Sequence, residues 1–191
     1  MDLSTITDTE FDSLYPQKIK MLSGTHWTPV AIAKKAIGYL GAEGKSVLDI
    51  GSGSGKFCLI AGANSNSKIT GVEQRANLVQ ISRKLALTYQ LENLDFILDD
   101  MINVDFTSYD NFYFFNSFEE NINLKDKLGK ENEFSLDKFN AYILFLRERF
   151  DSAPKGTKIV TYCGECEEIP ESYRLVKSSN KGNLKFWVKG I

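Results

Sequence analysis

Residues 47–57 read Val-Leu-Asp-Ile-Gly-Ser-Gly-Ser-Gly-Lys-Phe, and the order of residue types in this stretch decides the fold. A short apolar run, Val47, Leu48 and Ile50, carries a single acid, Asp49, and opens into three alternating glycines, Gly51, Gly53 and Gly55. An apolar segment from Phe57 to Ala63 follows. The pattern predicts a buried strand, a tight loop and the start of a helix. Glycine lets the backbone turn sharply and lets a ligand approach without meeting a Cβ, and the helix start offers N–H groups that lack partners. Such a loop is built to receive a nucleotide-like cofactor.

The details of the loop narrow the choice of cofactor. A triphosphate-binding loop needs a glycine five residues before its Gly-Lys and a hydroxyl residue after it. Here Ile50 and Phe57 occupy those places around Gly55-Lys56. A dinucleotide fingerprint has the form G-x-G-x-x-G, whereas these glycines fall as G-x-G-x-G with an acid two residues before the first. The D-x-G-x-G-x-G form resembles motif I of the Rossmann-like methyltransferases that use S-adenosylmethionine. The resemblance implies that the loop passes under the methionine part of the cofactor and that the acid serves its ammonium end.

Two further strand tips carry fitting chemistry. Lys68 to Val72 reads as a second buried strand, and it ends in Glu73, 22 residues after Gly51. A carboxylate there can accept both hydroxyls of a ribose, in nicotinamide and S-adenosylmethionine sites alike. Phe96 to Met101 reads as a third strand ending in Asp99-Asp100 beside the apolar Met101. In the resembled family this position supplies an acid for the adenine amino group and an apolar wall for the ring. The bland reading of Asp99-Asp100 is a solvated loop.

The bounds of the chain agree with one domain. At 191 residues and 42% hydrophobic, it is long enough for a real core and too short for a separate catalytic domain. A formal charge of −2 gives no overall basic footprint, so no obligate nucleic-acid partner is expected. The start, MDLSTITDTEFDSLY, is acidic and polar rather than a secretory signal, and no apolar run approaches the ~20 residues of a membrane span. A cytoplasmic location is the expectation, with no membrane partner. Three cysteines, an odd number, argue for reduced thiols. Cys58 reads as packing on the first core helix. Cys163 and Cys166 have the spacing of a metal or redox pair, but zinc would want two further ligands and the chain has one histidine. No metal is expected, and the pair reads as incidental.

Residues 1–27 form a lead-in, helical in part around Phe11 to Leu22. Thr28-Pro29 predicts a helix start, a capping hydroxyl before a proline, and Gly41 stops that helix after Leu40. Just upstream lie His26 and Trp27, candidates for a lid or substrate wall; a surface His beside a Trp that anchors the helix is the alternative. From Arg75 to Leu91, Leu78, Ile81, Leu85 and Tyr89 recur at helical spacing, which marks core.

Tyr109 to Phe115 predicts an aromatic fourth strand ending at Asn116-Ser117-Phe118-Glu119-Glu120. In the resembled fold this tip faces the group being methylated, which makes Asn116 and Phe118 site candidates and Glu119 or Glu120 a candidate general base, Glu119 being the one taken forward; an acid pair opening a helix also complements its dipole. Amino-methylating members often carry Asn/Asp-Pro-Pro-aromatic here. The present stretch lacks both prolines and is one residue shorter, which weighs against a nucleic-acid base as acceptor. Residues 121–133 are charged and aperiodic and read as a loop at the substrate mouth or plain surface. Ser135 predicts the cap of a core-facing helix through Phe150. Thr157 to Tyr162 reads as a fifth strand, and Tyr173 to Lys177 with Leu184 to Lys189 as a closing hairpin.

The chain is thus expected to be α/β, a Rossmann-like seven-stranded, mostly parallel sheet with helices on both faces and a C-terminal antiparallel hairpin. Residues 28–191 form the methyltransferase domain. It resembles small bacterial S-adenosylmethionine-dependent methyltransferases, and Gly71-Val72-Glu73-Gln74-Arg75 is similar to the cofactor motif of the non-SET histone lysine methyltransferases. The resemblance implies that Asp49, Gly51, Ser52 and Gly53 hold the methionine end, Glu73 the ribose, and Asp100 with Met101 the adenine, with Gln74 also among the cofactor-binding residues, while Asn116 faces the methyl. The expected activity is methyl transfer to an amine or carboxylate of a protein or small molecule. A non-catalytic S-adenosylmethionine- or NAD-binding module is the alternative, and a dehydrogenase is disfavoured by glycine spacing and size.

Overall fold

The computed structural model describes residues 1–115 and 136–190; of Thr25 and of residues 136–138 only the backbone is described. Seven strands form a single sheet: β1 Ser46–Ile50, β2 Lys68–Glu73, β3 Leu94–Leu98, β4 Asn111–Phe115, β5 Lys158–Tyr162, β6 Tyr173–Ser179 and β7 Leu184–Lys189. Their order is β3-β2-β1-β4-β5-β7-β6. The first five pair in parallel, and β7 runs antiparallel to both β5 and β6. The seven strands, the mostly parallel pairing and the closing hairpin agree with the sequence expectation.

The reversal of strand order between β1 and β4 positions the site. In open α/β sheets ligands bind beyond the carboxyl ends of the strands at such a switch point. β1 is buried along Val47 to Ile50 because both of its faces are covered, which is why its apolar run does not alternate. On one face pack α4 Val30–Leu40, α5 Lys56–Ala63 and α6 Ala76–Thr88, contributing Ile37, Leu40, Leu59, Ile60, Leu78 and Val79 to one buried cluster. On the other, α7 Leu136–Ser152 brings Tyr142, Leu146 and Phe150 against Leu48, Ile50, Val72, Phe112 and Ile159.

The lead-in is built of three short helices, α1 Asp8–Asp12, α2 Gln17–Lys20 and α3 Ser23–His26. A capping box opens α1: the Thr7 hydroxyl accepts from the Glu10 amide while the Glu10 carboxylate accepts from the Thr7 amide. Leu3, Ile6, Phe11 and Tyr15 bury their side chains in the same cluster as α4 and α5, so the lead-in shares the core of the domain.

Several local expectations change. Thr28 does not cap α4: its hydroxyl hydrogen-bonds the phenol of Tyr113, 2.9 Å away in the core. The first turn of α4 is capped from the lead-in instead, where Asp8 Oδ1 accepts from the Val30 amide at 2.9 Å. Gly41 ends the helix with φ −79°, so left-handed freedom is not its use. Close approach is, since a Cβ there would lie 2.8 Å from the Ile37 carbonyl oxygen. The third strand starts and ends earlier than expected, leaving Asp99 and Asp100 in a turn and Met101 opening a short 3-10 segment, Met101–Asn103. The expected Ser135 cap lies outside the described residues.

Candidate functional site

The glycine loop follows β1 and opens α5. Gly51, Gly53 and Gly55 all have left-handed backbones, with φ of 74°, 55° and 79°, a conformation that costs other residues about 1–2 kcal/mol. At Gly53 there is a second constraint. A Cβ there would lie 2.5 Å from Cζ3 of Trp27. The indole is buried and donates from Nε1 to the Ile19 carbonyl at 3.1 Å, so it is fixed against the loop. Trp27 is therefore a wedge that sets the shape of the loop. Gly53→Ala combines the left-handed cost with overpacking of about 1–3 kcal/mol; the expected result is a melting temperature lower by several degrees and cofactor affinity reduced at least tenfold. Unchanged calorimetric binding would show that the Trp27–Gly53 contact is immaterial.

The amide hydrogens that a phosphate would require are largely committed within the fold. Gly51 and Ser52 both donate to the Val72 carbonyl, at 3.0 and 2.9 Å, and Gly55 donates to the Ser52 carbonyl at 2.9 Å. Gly53 donates to Glu73 Oε2 at 3.1 Å. Lys56 is equally unavailable: its ammonium is buried, 2.7 Å from Asp8 Oδ1 and 2.8 Å from Asp12 Oδ1. A loop with committed amides, an internally neutralised lysine and acids at the neighbouring strand tips does not suit a pyrophosphate. It suits a cofactor that is positively charged at its sulfonium and ammonium.

The predicted residues gather at the carboxyl ends of β1, β2 and β3. Asp49 is 3% exposed, and Cys58 Sγ donates to its Oδ2 at 3.2 Å. Burial, with the charge of Glu73 adding to it, pushes the Asp49 carboxyl up to about 7, against the partial relief of the Cys58 hydrogen bond. Cys58 is thus more than filler: its thiol is the hydrogen-bonding partner of the motif acid. Ser52 turns its side chain against Gly71, where a Cβ would meet Ser52 Oγ at 2.6 Å. Glu73 is buried, with Oε1 accepting from the Arg75 amide and Nε, both at 2.8 Å, and Oε2 accepting from Gly53 N and, at 3.0 Å, from Arg75 Nη2. The carboxylate is held in a fixed plane at the tip of β2, and Arg75 shares it. Gln74 is exposed in the turn beyond the strand.

Asp100 accepts from the Ile102 amide at 3.2 Å through Oδ1, and its Oδ2 accepts from the phenol of Tyr142. Met101 is buried in the cluster that contains Tyr142. Asp99 is exposed, and its Oδ1 accepts from the Asn103 side-chain amide and from the Asp100 backbone amide, both at 2.7 Å. The His26 ring lies 6.1 Å from that of Trp27, and its Nε2 is buried without a hydrogen-bond partner among the described residues. The rings of Phe115 and Tyr162, at the ends of β4 and β5, lie 4.9 Å apart. Asn116, Phe118 and Glu119 lie outside the described residues.

Three residues of this neighbourhood escape the sequence reading: Lys56, Tyr142 and Arg75. Lys56 leaves a trace in the sequence, a single cation opening an otherwise apolar helix. Cys163 and Cys166 both have left-handed backbones, and Cys166 Sγ lies 3.4 Å from Thr161 Oγ1 and accepts from Lys185 Nζ at 3.5 Å.

A glycine loop, a carboxylate at the tip of β2 and an acid–apolar pair beyond β3, on a seven-stranded sheet closed by an antiparallel hairpin, define a Rossmann-like methyltransferase dependent on S-adenosylmethionine. Residues 42–184 match the family model described as "Methyltransferase domain", and the chain belongs to that family. Among solved structures it is similar to an RNA methyltransferase from Salinibacter ruber in complex with S-adenosyl-L-homocysteine, at 18% identity and TM-score 0.59, over 85% of this chain and 92% of the other. It is similar also to an S-adenosylmethionine-dependent methyltransferase from Aquifex aeolicus, at 17% identity and TM-score 0.55, over 91% and 96%. TrmN from Thermus thermophilus shares 18% identity at TM-score 0.60, over 86% of this chain and 49% of its own. At these identities the likeness is one of fold. No curated protein matches the sequence.

Proposed function

We propose that this methyltransferase passes the methyl group of S-adenosylmethionine to an amine of a protein or small molecule. The observation that carries the reading is the acidic, phosphate-averse character of the cofactor end together with the exposed acids of the 163–172 connection. That connection presents Glu165, Glu167 and Glu171, follows the tip of β5 directly and contains no helix. A carboxylate acceptor, the other class that the sequence allows, would meet like charge there. A basic acceptor would be drawn in.

Bound S-adenosylmethionine supplies an electrophilic methyl group. In this reading the residues of the chain do the holding: Glu73 takes the ribose hydroxyls, Asp100 the adenine amino group, Met101 the ring, and Asn116 the acceptor beside the methyl. Alignment of this kind contributes about 7–11 kcal/mol to such displacements. An amine must be neutral to attack, and Glu119 is our candidate to receive its proton. His26 with Trp27 closes the near wall, and residues 1–27 serve as a lead-in to the domain over 28–191. The net charge of −2 supports an acceptor other than nucleic acid. No helix among the described residues is long and apolar enough to cross a membrane. The odd number of cysteines, three, supports reduced thiols and a cytoplasmic setting.

The test has two stages. Calorimetric titration should show micromolar binding of S-adenosylmethionine and S-adenosylhomocysteine, weakened at least tenfold by Glu73→Ala, since a hydrogen bond to a charged group contributes about 1.5–3 kcal/mol. Tighter binding of NAD would sink the reading. Release of S-adenosylhomocysteine is then measured with basic peptides and small amines against carboxylates. Turnover on amines, abolished by Asn116→Ala while the cofactor still binds, is the expected result. Binding with no turnover on either class would favour a non-catalytic binding module.

A further inference from the structure

We propose that Tyr142 is the positioning residue of the adenine subsite, its phenol holding the Asp100 carboxylate in the orientation that receives the exocyclic amino group. The inference rests on the reading of Asp100 as the adenine acid and adds a residue from a different layer of the fold.

Asp100 has two anchors. Oδ1 accepts from the Ile102 amide, a local contact that caps the 3-10 segment. Oδ2 accepts from Tyr142 on α7, 42 residues away in sequence. A carboxylate held only by the first could pivot about Oδ1; the second fixes its plane. Each oxygen accepts more than one hydrogen bond, so the two anchors leave lone pairs for a ligand. Tyr142 is itself fixed, buried in the cluster that contains Met101, the apolar wall beside Asp100. Burial and the neighbouring carboxylate push the phenol up from its ordinary value, so it stays protonated and donates. Tyr142 therefore acts on the cofactor through Asp100.

Selectivity is the property that such a part controls. A carboxylate set to accept from an amino group repels a purine with a carbonyl oxygen in that place. The full chain is titrated calorimetrically with S-adenosylhomocysteine and with its deaminated analogue, S-inosylhomocysteine, in wild type, Tyr142→Phe, Asp100→Ala and the double variant. Wild type is expected to prefer the adenine compound by at least tenfold. Tyr142→Phe should lower affinity for it by about fivefold to tenfold with little change for the inosine compound, and should add little further loss in the Asp100→Ala background. Equal loss for both ligands, or none, overturns the proposal, because a packing role alone would not change the ratio. If Asp100→Ala leaves the preference intact, the assignment of Asp100 fails first and the role of Tyr142 falls with it. If Asp100→Ala abolishes the preference and Tyr142→Phe keeps it, only the positioning role fails.

Discussion

Lys56→Met is expected to lower the melting temperature by about 6–12 °C and to weaken S-adenosylmethionine binding roughly tenfold. The ammonium is 3% exposed and lies between Asp8 and Asp12 at 2.7 and 2.8 Å, with Ser23 Oγ at 3.5 Å and the Phe11 ring 5.4 Å away. Removing one partner from a buried ionic group leaves the others uncompensated, at a cost of about 3–5 kcal/mol. The lower end applies here, because the Asp8 side chain is 47% exposed and screened by water, although that of Asp12 is 17% exposed. About 3 kcal/mol corresponds to the stated shift for a chain of this size. Asp8 cannot simply turn to water without releasing the Val30 amide that it caps. Binding should suffer because the lead-in holds the glycine loop: Tyr15 donates from its phenol to the Ser54 carbonyl at 3.2 Å, and Trp27 wedges Gly53. Loosened from Lys56, the loop would have to be ordered by the cofactor. Adding Asp12→Asn to Lys56→Met should recover part of the stability by removing one of the stranded charges, whereas in wild type Asp12→Asn should destabilise. Melting within a degree of wild type for Lys56→Met would show that the cluster contributes nothing net.

The contrast between Lys56 and its surroundings shows what the sequence makes legible. The strands at 46–50, 68–73 and 111–115 and the glycine loop are local patterns, legible because periodicity and turn chemistry act over a few residues. The parallel pairing of the first five strands follows from the alternation of those elements with helices. What stays hidden is made by contacts across long separations: Lys56 with Asp12, 44 residues apart, and Tyr142 with Asp100, 42 apart. Asp8 and Asp12 sit four residues apart, one helical turn, and could read as a mere solvated acidic face. The Thr28-Pro29 signal illustrates the same limit. Its local chemistry is that of a cap, yet the hydroxyl is drawn to Tyr113 in the core and Asp8 supplies the cap from 22 residues upstream. Glu73 is legible as an acid at the tip of β2, but its engagement with Arg75 depends on how the turn after β2 folds back.

Asp49→Asn should make the free protein more stable above neutral pH while weakening its hold on the cofactor. The folded state raises the Asp49 carboxyl from 3.8 to about 7. Between those values the folded chain keeps a proton that the unfolded chain has lost, so stability falls as pH rises through this window. The loss is complete above pH 7 and amounts to about 4 kcal/mol for a shift of this size. An asparagine keeps the shape and an oxygen to accept from Cys58 Sγ, but never ionises. Its amide bears a desolvation cost of its own, so a net gain of about 2 kcal/mol at pH 8 is expected, shrinking to nothing near pH 4. The slope should not vanish, because Glu168, raised by burial to about 7, contributes in the same direction. Binding should move the other way, because on the proposed reading Asp49 faces the ammonium end of the cofactor and attracts it only when ionised. In wild type, affinity should fall as pH drops below 7, and calorimetry in buffers of different ionisation enthalpy should show protons released on binding. Asp49→Asn should bind weakly at every pH and release fewer. Melting curves from pH 4 to 9 decide the first half, and a variant less stable than wild type at pH 8 would mean that the buried charge is stabilised in the free protein. If both halves hold, the motif acid is kept at the expense of stability, as expected of a residue retained for the ligand it receives.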